Sequence, residues 1–368
     1  MKHYLHPIKR REFLKKGLAG GAVAASLPVW QTFGFALPPQ NALDNPAFRL
    51  DQETMQKLLA IALEYGGDFS EIYVEYTEQN NISLAENKIS GATRGIDTGV
   101  GIRVLKGDKT GYAHSGDFSF ESLAATARAA GLIASGKARP MVPALEKRLI
   151  PNYYLVKTAP DQVSSMEKAG LCMKTNAFTR KLDSNIEEVS VSFGDTNKRI
   201  TIANSEGLWV TDSQFISDLF VMVLLKANGK QGRGYKSKSG TLGYEHFTEG
   251  LAQNMAKEAY HTAVIDIEAE DAPAGQFPVV FANEESGVFF HEAIGHSLEA
   301  DGIRKKTSAF WDKKGQYIAS EIVSLADDGT VPGGRGSINV DDEGTPGQNT
   351  PVSYTHLRAH ETVLDLVC

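Results

Sequence analysis

His291, Glu292 and His296 stand in the mostly apolar run Gly287-Val288-Phe289-Phe290-His291-Glu292-Ala293-Ile294-Gly295-His296-Ser297-Leu298-Glu299-Ala300-Asp301. Neutral imidazoles can hold a zinc ion, and a carboxylate beside them can act as base for a water. The pattern points to metal-dependent hydrolysis, with His291 and His296 as ligands and Glu292 as general base.

The spacing sets a condition on the backbone. Histidines four apart lie about 40° from each other around an α-helix, whereas five apart they lie about 140° apart and face different neighbours. A π-type turn, closed by a bond between residues five apart, brings such a pair back towards one face. A wide turn or kink between His291 and His296 is therefore expected, made easier by Gly295. A straight helix would leave two ordinary helix histidines and no metal site. Glu299, Asp301 and Glu321 follow the histidines and are either further ligands, partners that orient the imidazoles, or solvated carboxylates.

These residues must be held by a folded scaffold, and the periodicities predict an α+β, β-rich chain of several modules. A helix is expected near Gln52 to Tyr65, where Met55, Leu58, Leu59, Ala62 and Leu63 recur at helical spacing. Short strands follow at Glu71 to Thr77 and Asn81 to Glu86, then a hairpin from Val100 to Ser115 turning at Lys106-Gly107-Asp108-Lys109, then a helix capped by Ser119. In the next module Asp161 is the expected N-cap of a helix to about Leu182. Strands are expected at Glu188 to Phe193, Arg199 to Ala203, Leu208 to Thr211 and Phe215 to Ala227, with turns at Gly194-Asp195-Thr196-Asn197 and Asn204-Ser205-Glu206-Gly207. Thr248 caps a further helix. The run Gly229 to Gly234 lacks the Gly-Lys-Ser/Thr ending of a phosphate loop and reads as a connecting turn. Phe277 to Ala282 reads as a buried strand feeding the histidine segment, and Ile318 to Leu325 as another strand, with Asp327-Asp328-Gly329 as a turn.

The expected organisation is an export signal over residues 1–36, a linker at 37–50, α+β modules at 51–136 and 150–265, a metal-binding module at 270–350, and a tail at 351–368. The signal rests on Lys9-Arg10-Arg11-Glu12-Phe13-Leu14-Lys15, a twin-arginine pattern, followed by a small-residue apolar stretch from Gly17 to Val29. That stretch is too short and too rich in Gly and Ala for a stable membrane anchor. Export in folded form to the periplasm suits a protein that must load a metal first. A net charge of −7 gives no sign of nucleic-acid binding. Two cysteines, Cys172 and Cys368, supply no disulfide framework, and Cys172 is expected as a small buried hydrophobe.

The run from Gly287 to Asp301 resembles the signature of the TldD/PmbA family of zinc metallopeptidases, whose catalytic members carry His-Glu-x-x-x-His. Gly99 to Leu105, Gly111-Tyr112-Ala113, Asn204 to Gly207 and Asp341-Asp342-Glu343-Gly344-Thr345-Pro346 agree with it in order, so the likeness runs from about residue 51 to 350. The resemblance implies a peptidase using Zn2+ to hydrolyse short or unfolded peptides. It also implies a dimer, either with itself or with a related PmbA/TldE-like subunit that lacks the metal motif. In the family the third zinc ligand is a cysteine in a Gly-rich segment near the C-terminus, to which no residue here corresponds. The last module is accordingly expected to lack its C-terminal part, with activity lost or impaired. Residues 351–368 depart from the family pattern and read as a non-native tail, so His356, His360 and Glu361 are left out of the site. The alternative is a non-catalytic exported protein that binds metal or serves as the partner subunit of a peptidase.

Overall fold

The computed structural model describes residues 50–353 apart from 135, 138–140, 228, 283–285, 314 and 321, so residues 1–36, where an export signal is expected, and residues 354–368 lie outside the described residues. The described residues open with α1 (Gln52–Ala62), capped by Asp51, whose side chain accepts from the Thr54 amide. Strands β1 (Phe69–Ala85), β2 (Lys88–Lys106) and β3 (Lys109–Ser115) follow, then α2 (Phe120–Gly131), capped by Ser119. A short β4 (Glu146–Lys147) leads to α3 (Ser165–Thr179), then β5 (Ile186–Asn204), β6 (Leu208–Ala227), β7 (Lys230–Gly240) and α4 (Glu249–Glu268), capped by Thr248.

The seven strands form one sheet in the order β3-β2-β1-β5-β6-β4, with β7 also on β6. β1 pairs with β5 from Glu71↔Asn204 to Leu84↔Val191, so the strands of residues 51–136 and 150–265 share one ladder. The β1–β2 hairpin turns at Glu86 and Asn87, both at positive φ, as a tight two-residue turn needs. The expected turn at Asn204 to Gly207 is present: Asn204 Oδ1 accepts from the amides of Glu206 and Leu208, and Gly207 has φ +96.

Two expectations fail for one reason. Gly194 to Asn197 is not a turn; it continues β5 between β1 and β6. Asp161 does not cap α3, a task that falls to Ser164. These turn-forming residue types are used instead for a polar belt across the helix-covered face of the sheet. Asp195 accepts from Lys168 Nζ at 2.5 Å and Asn80 Nδ2 at 3.1 Å, while Asp161 accepts from Asn197 Nδ2 at 2.7 Å and Arg199 Nη2 at 3.0 Å.

The belt separates two apolar cores. One sets Ile72, Val74, Val100, Ile102 and Val104 against Met55, Leu58, Leu59, Leu123 and Ala127 of α1 and α2. The other sets Val189, Val191, Phe193, Leu219 and Val221 against Leu171, Cys172, Met255, Ala256 and Ala259 of α3 and α4. Cys172 is fully buried, and burial pushes its thiol up to about 11, so it stays protonated. Gly232 and Gly234, expected in a turn, lie in β7. A Cβ on Gly234 would sit 2.0 Å from the Ala259 carbonyl oxygen, so glycine lets helix and strand backbones meet.

On the opposite face Ile200, Ile202, Leu208 and Val210 form a smaller cluster with Val340. There the Asp341 to Pro346 loop is pinned to the sheet: Arg103 bridges Glu71 at 2.6 Å and Glu343 at 2.7 Å, and Arg148 Nη1 donates to the Gly344 carbonyl. This loop of the family-like pattern is thus a structural tie between the sheet and the last module.

Phe277 to Ala282 forms no strand, and Phe277, Val279, Val280 and Phe281 are exposed. An apolar run becomes a buried strand only where a neighbouring strand reaches it, and among the described residues none does. Likewise β8 begins only at Leu325 (Leu325–Asp328), pairing with β9 (Asn349–Ser353), so Asp327 and Asp328 are strand residues. The first three residues assigned to the tail, 351–353, belong to β9. Among the described residues no helix is long and apolar enough to cross a membrane.

Candidate metal centre

Helix α5 (Ser286–Phe290) runs into a π-helical turn over His291–Gly295, continues as α6 (His296–Leu298), bends at Glu299 and resumes as α7 (Ala300–Lys305). The His296 amide donates to the His291 carbonyl, the five-residue bond that the spacing demands. The imidazoles are thereby brought together, with ring centroids 4.3 Å apart and planes at 68°. Gly295 is not what permits the turn. Its φ is −51, and a Cβ there would meet His291 at 3.6 Å, an ordinary contact.

Packing turns the functional side chains outward. Leu298 is buried against Ile294, Phe310, Ile318, Ala319, Val323 and Leu325, which fixes one side of the segment. His291, Glu292 and His296 lie exposed on the other, each offering a ligand atom within 4.8 Å of the others. Among the described residues this is the one cluster of three or more His, Cys, Asp or Glu side chains with such spacing. Two imidazole nitrogens beside a carboxylate form a donor set that suits a borderline-soft divalent ion such as zinc.

The remaining carboxylates separate. Glu299 Oε1 lies 2.7 Å from His296 Nδ1, whereas His296 Nε2 faces Glu292 Oε2 at 3.7 Å. The hydrogen bond to Glu299 raises the pKa of His296, and the nearby Glu292 charge acts in the same direction. Asp301 is drawn away by Lys305, at 2.9 Å, and this contact lowers its pKa. Glu321 and Cys368 lie outside the described residues.

One feature is not legible in the sequence. A polar hollow of about 380 Å³ lies over the middle of the sheet, lined by residues that include Gln79, Asn81, Thr93, Arg94 and Asp218. None of the triad lines it. Its walls come from four strands, so only their register assembles it.

Profiles of the PmbA/TldA metallopeptidase family match residues 70–134 as domain 1, 158–266 as the central domain and 274–353 as the C-terminal domain. A metalloprotease TldD homolog of Buchnera aphidicola is 33% identical over 303 residues, 80% of this chain and 62% of the relative, so the chain spans about three fifths of that relative's length. A metalloprotease of Methanocaldococcus jannaschii is 30% identical over 323 residues, 85% of this chain and 70% of its own. The crystal structure of TldE from Thermococcus kodakarensis superposes with a TM-score of 0.63 at 18% identity, covering 83% of this chain and 69% of TldE, a likeness of fold. By matched profiles, relatives and α+β fold, the chain belongs to the PmbA/TldD metallopeptidase family.

Proposed function

We infer that the chain carries the zinc-binding and general-base residues of a TldD-like peptidase acting on short or unfolded peptides. The observation that carries this reading is the π-turn, which gathers two histidines and a glutamate that a regular helix would separate. His291 and His296 would hold zinc through ring nitrogens. When bound, zinc supplies a Lewis acid that makes water a nucleophile at neutral pH. Glu292, exposed beside both rings, takes the proton of the attacking water on its carboxylate. It then returns that proton to the leaving amine nitrogen. Among the described residues no further His, Cys, Asp or Glu side chain joins the histidines and Glu292.

The same reading includes a subunit pair, with a second copy or with a related TldE-like chain, whose fold this chain shares. Export by the twin-arginine route to the periplasm belongs to the same reading and rests on Arg10-Arg11 with the small-residue stretch behind them.

The test combines zinc titration with hydrolysis of a quenched fluorescent peptide by the zinc-supplemented chain. His291→Ala and His296→Ala should each remove zinc binding. Glu292→Gln should keep zinc and abolish residual hydrolysis. Hydrolysis that survives Glu292→Gln, or zinc binding indifferent to both histidines, would overturn the assignment; zinc binding with no hydrolysis in the unmodified chain would favour a non-catalytic metal-binding or partner subunit.

A further inference from the structure

We propose that Glu299 is a positioning residue of the metal centre. It holds the proton on Nδ1 of His296 and so leaves Nε2 as the nitrogen offered to the ion. The last step rests on the zinc reading above; the tautomer does not.

The argument is geometric. Glu299 Oε1 and His296 Nδ1 are 2.7 Å apart, and an ionised carboxylate can only accept, so Nδ1 must carry the hydrogen. A neutral imidazole has one N–H, which leaves Nε2 bare, on the side of the ring that faces Glu292 Oε2. Glu299 stands at the N-cap of α7, yet its side chain makes no capping bond. The backbone explains why it turns back. The Glu299 amide donates to the His296 carbonyl at 3.4 Å, its own carbonyl accepts from Ile303 at 3.1 Å, and ψ is 135. This bend directs the side chain over the preceding turn and onto the ring. Asp301, the other nearby carboxylate, is held by Lys305 and does not compete. The neighbouring Leu298 is buried, so the bend is anchored.

One carboxylate oxygen of Glu299 is therefore committed to orienting His296, and Glu299 does not join the cluster of His291, Glu292 and His296. A carboxylate on the far nitrogen of a ligating histidine fixes ring orientation and raises ligand basicity.

The test uses the full chain labelled with 15N at histidine, metal-free, at a pH where the imidazoles are neutral. Two-bond proton–nitrogen correlations read which ring nitrogen carries hydrogen. His296 is expected as the Nδ1–H form, a readout that needs no variant. Glu299→Ala should lose that preference and weaken zinc, measured by chelator competition, by about 10–100-fold. Glu299→Gln, whose carbonyl still accepts, should keep the tautomer and lose less affinity. A bare Nδ1 in the unmodified chain would overturn the proposal. So would Glu299→Ala weakening zinc with the tautomer unchanged, since the carboxylate would then be a ligand or a shaper of the turn. If Glu299→Ala fails to fold, the unmodified chain and Glu299→Gln decide. A tautomer that responds to Glu299 in a chain that binds no zinc would sink the zinc reading while leaving the positioning role intact.

Discussion

Replacing Lys168 with Met should destabilise the protein more than almost any other single change at a polar residue. The Lys168 ammonium and Asp195 carboxylate are 4% and 1% exposed and 2.5 Å apart, beneath α3 in the polar belt. At an effective dielectric near 20 their gross attraction is about 7 kcal/mol, most of it offset by the desolvation of two charges. Removing the lysine leaves the desolvation of Asp195 in place, with Asn80 Nδ2 still donating to it at 3.1 Å. Breaking one side of such a buried pair costs about 3–5 kcal/mol. For a chain of this size that corresponds to a fall in Tm of roughly 10 °C, at about 2–4 °C per kcal/mol. Urea unfolding followed by far-ultraviolet circular dichroism would measure it, with Asp195→Asn and the double variant completing a cycle. The double variant should recover about 2 kcal/mol or more relative to the sum of the single losses, because no unpaired charge remains. A cost under about 1 kcal/mol, or additive losses, would refute the claim that this pair is buried and coupled.

Other consequences concern charge and packing. Glu71 is buried, one of its carboxylate oxygens has no hydrogen-bond partner among the described residues, and desolvation raises its pKa above the ordinary 4.5 although Arg103 pulls the other way. As pH rises from 4.5 through the folded value, the unfolded chain releases this proton first. The folded state then binds more protons, so this group's contribution to stability declines with rising pH across that window. Glu71→Gln should flatten that part of the urea-midpoint profile; an unchanged slope would contradict the assignment. Gly234→Ala should cost about 2–3 kcal/mol, since its Cβ would meet the Ala259 backbone oxygen at 2.0 Å and force α4 away from β7. A variant that melts with the parent would show that the helix and strand are less closely packed.

The sequence alone determined what local rules control. Ser119 and Thr248 cap helices as their hydroxyls and following apolar periodicity predict, and Asn204 with Gly207 makes the expected turn. The five-residue separation of His291 and His296 demanded a wide turn, because helical geometry leaves no other way to bring the rings together. Tertiary structure decided the uses of ambiguous residues. Gly194 to Asn197 has turn chemistry by composition, but β1 and β6 flank it and Lys168 and Asp161 answer its polar side chains, so it runs on as strand. Phe277 to Ala282 has strand chemistry and lacks a neighbour among the described residues to complete it. Glu299 and Asp301 are indistinguishable as candidate ligands on spacing. A backbone bend and a lysine one turn along assign one to His296 and the other to Lys305. The physical reason is the same in each case: periodicity and capping act within a few residues, whereas partners for a strand edge or a carboxylate come from wherever the fold brings the chain back.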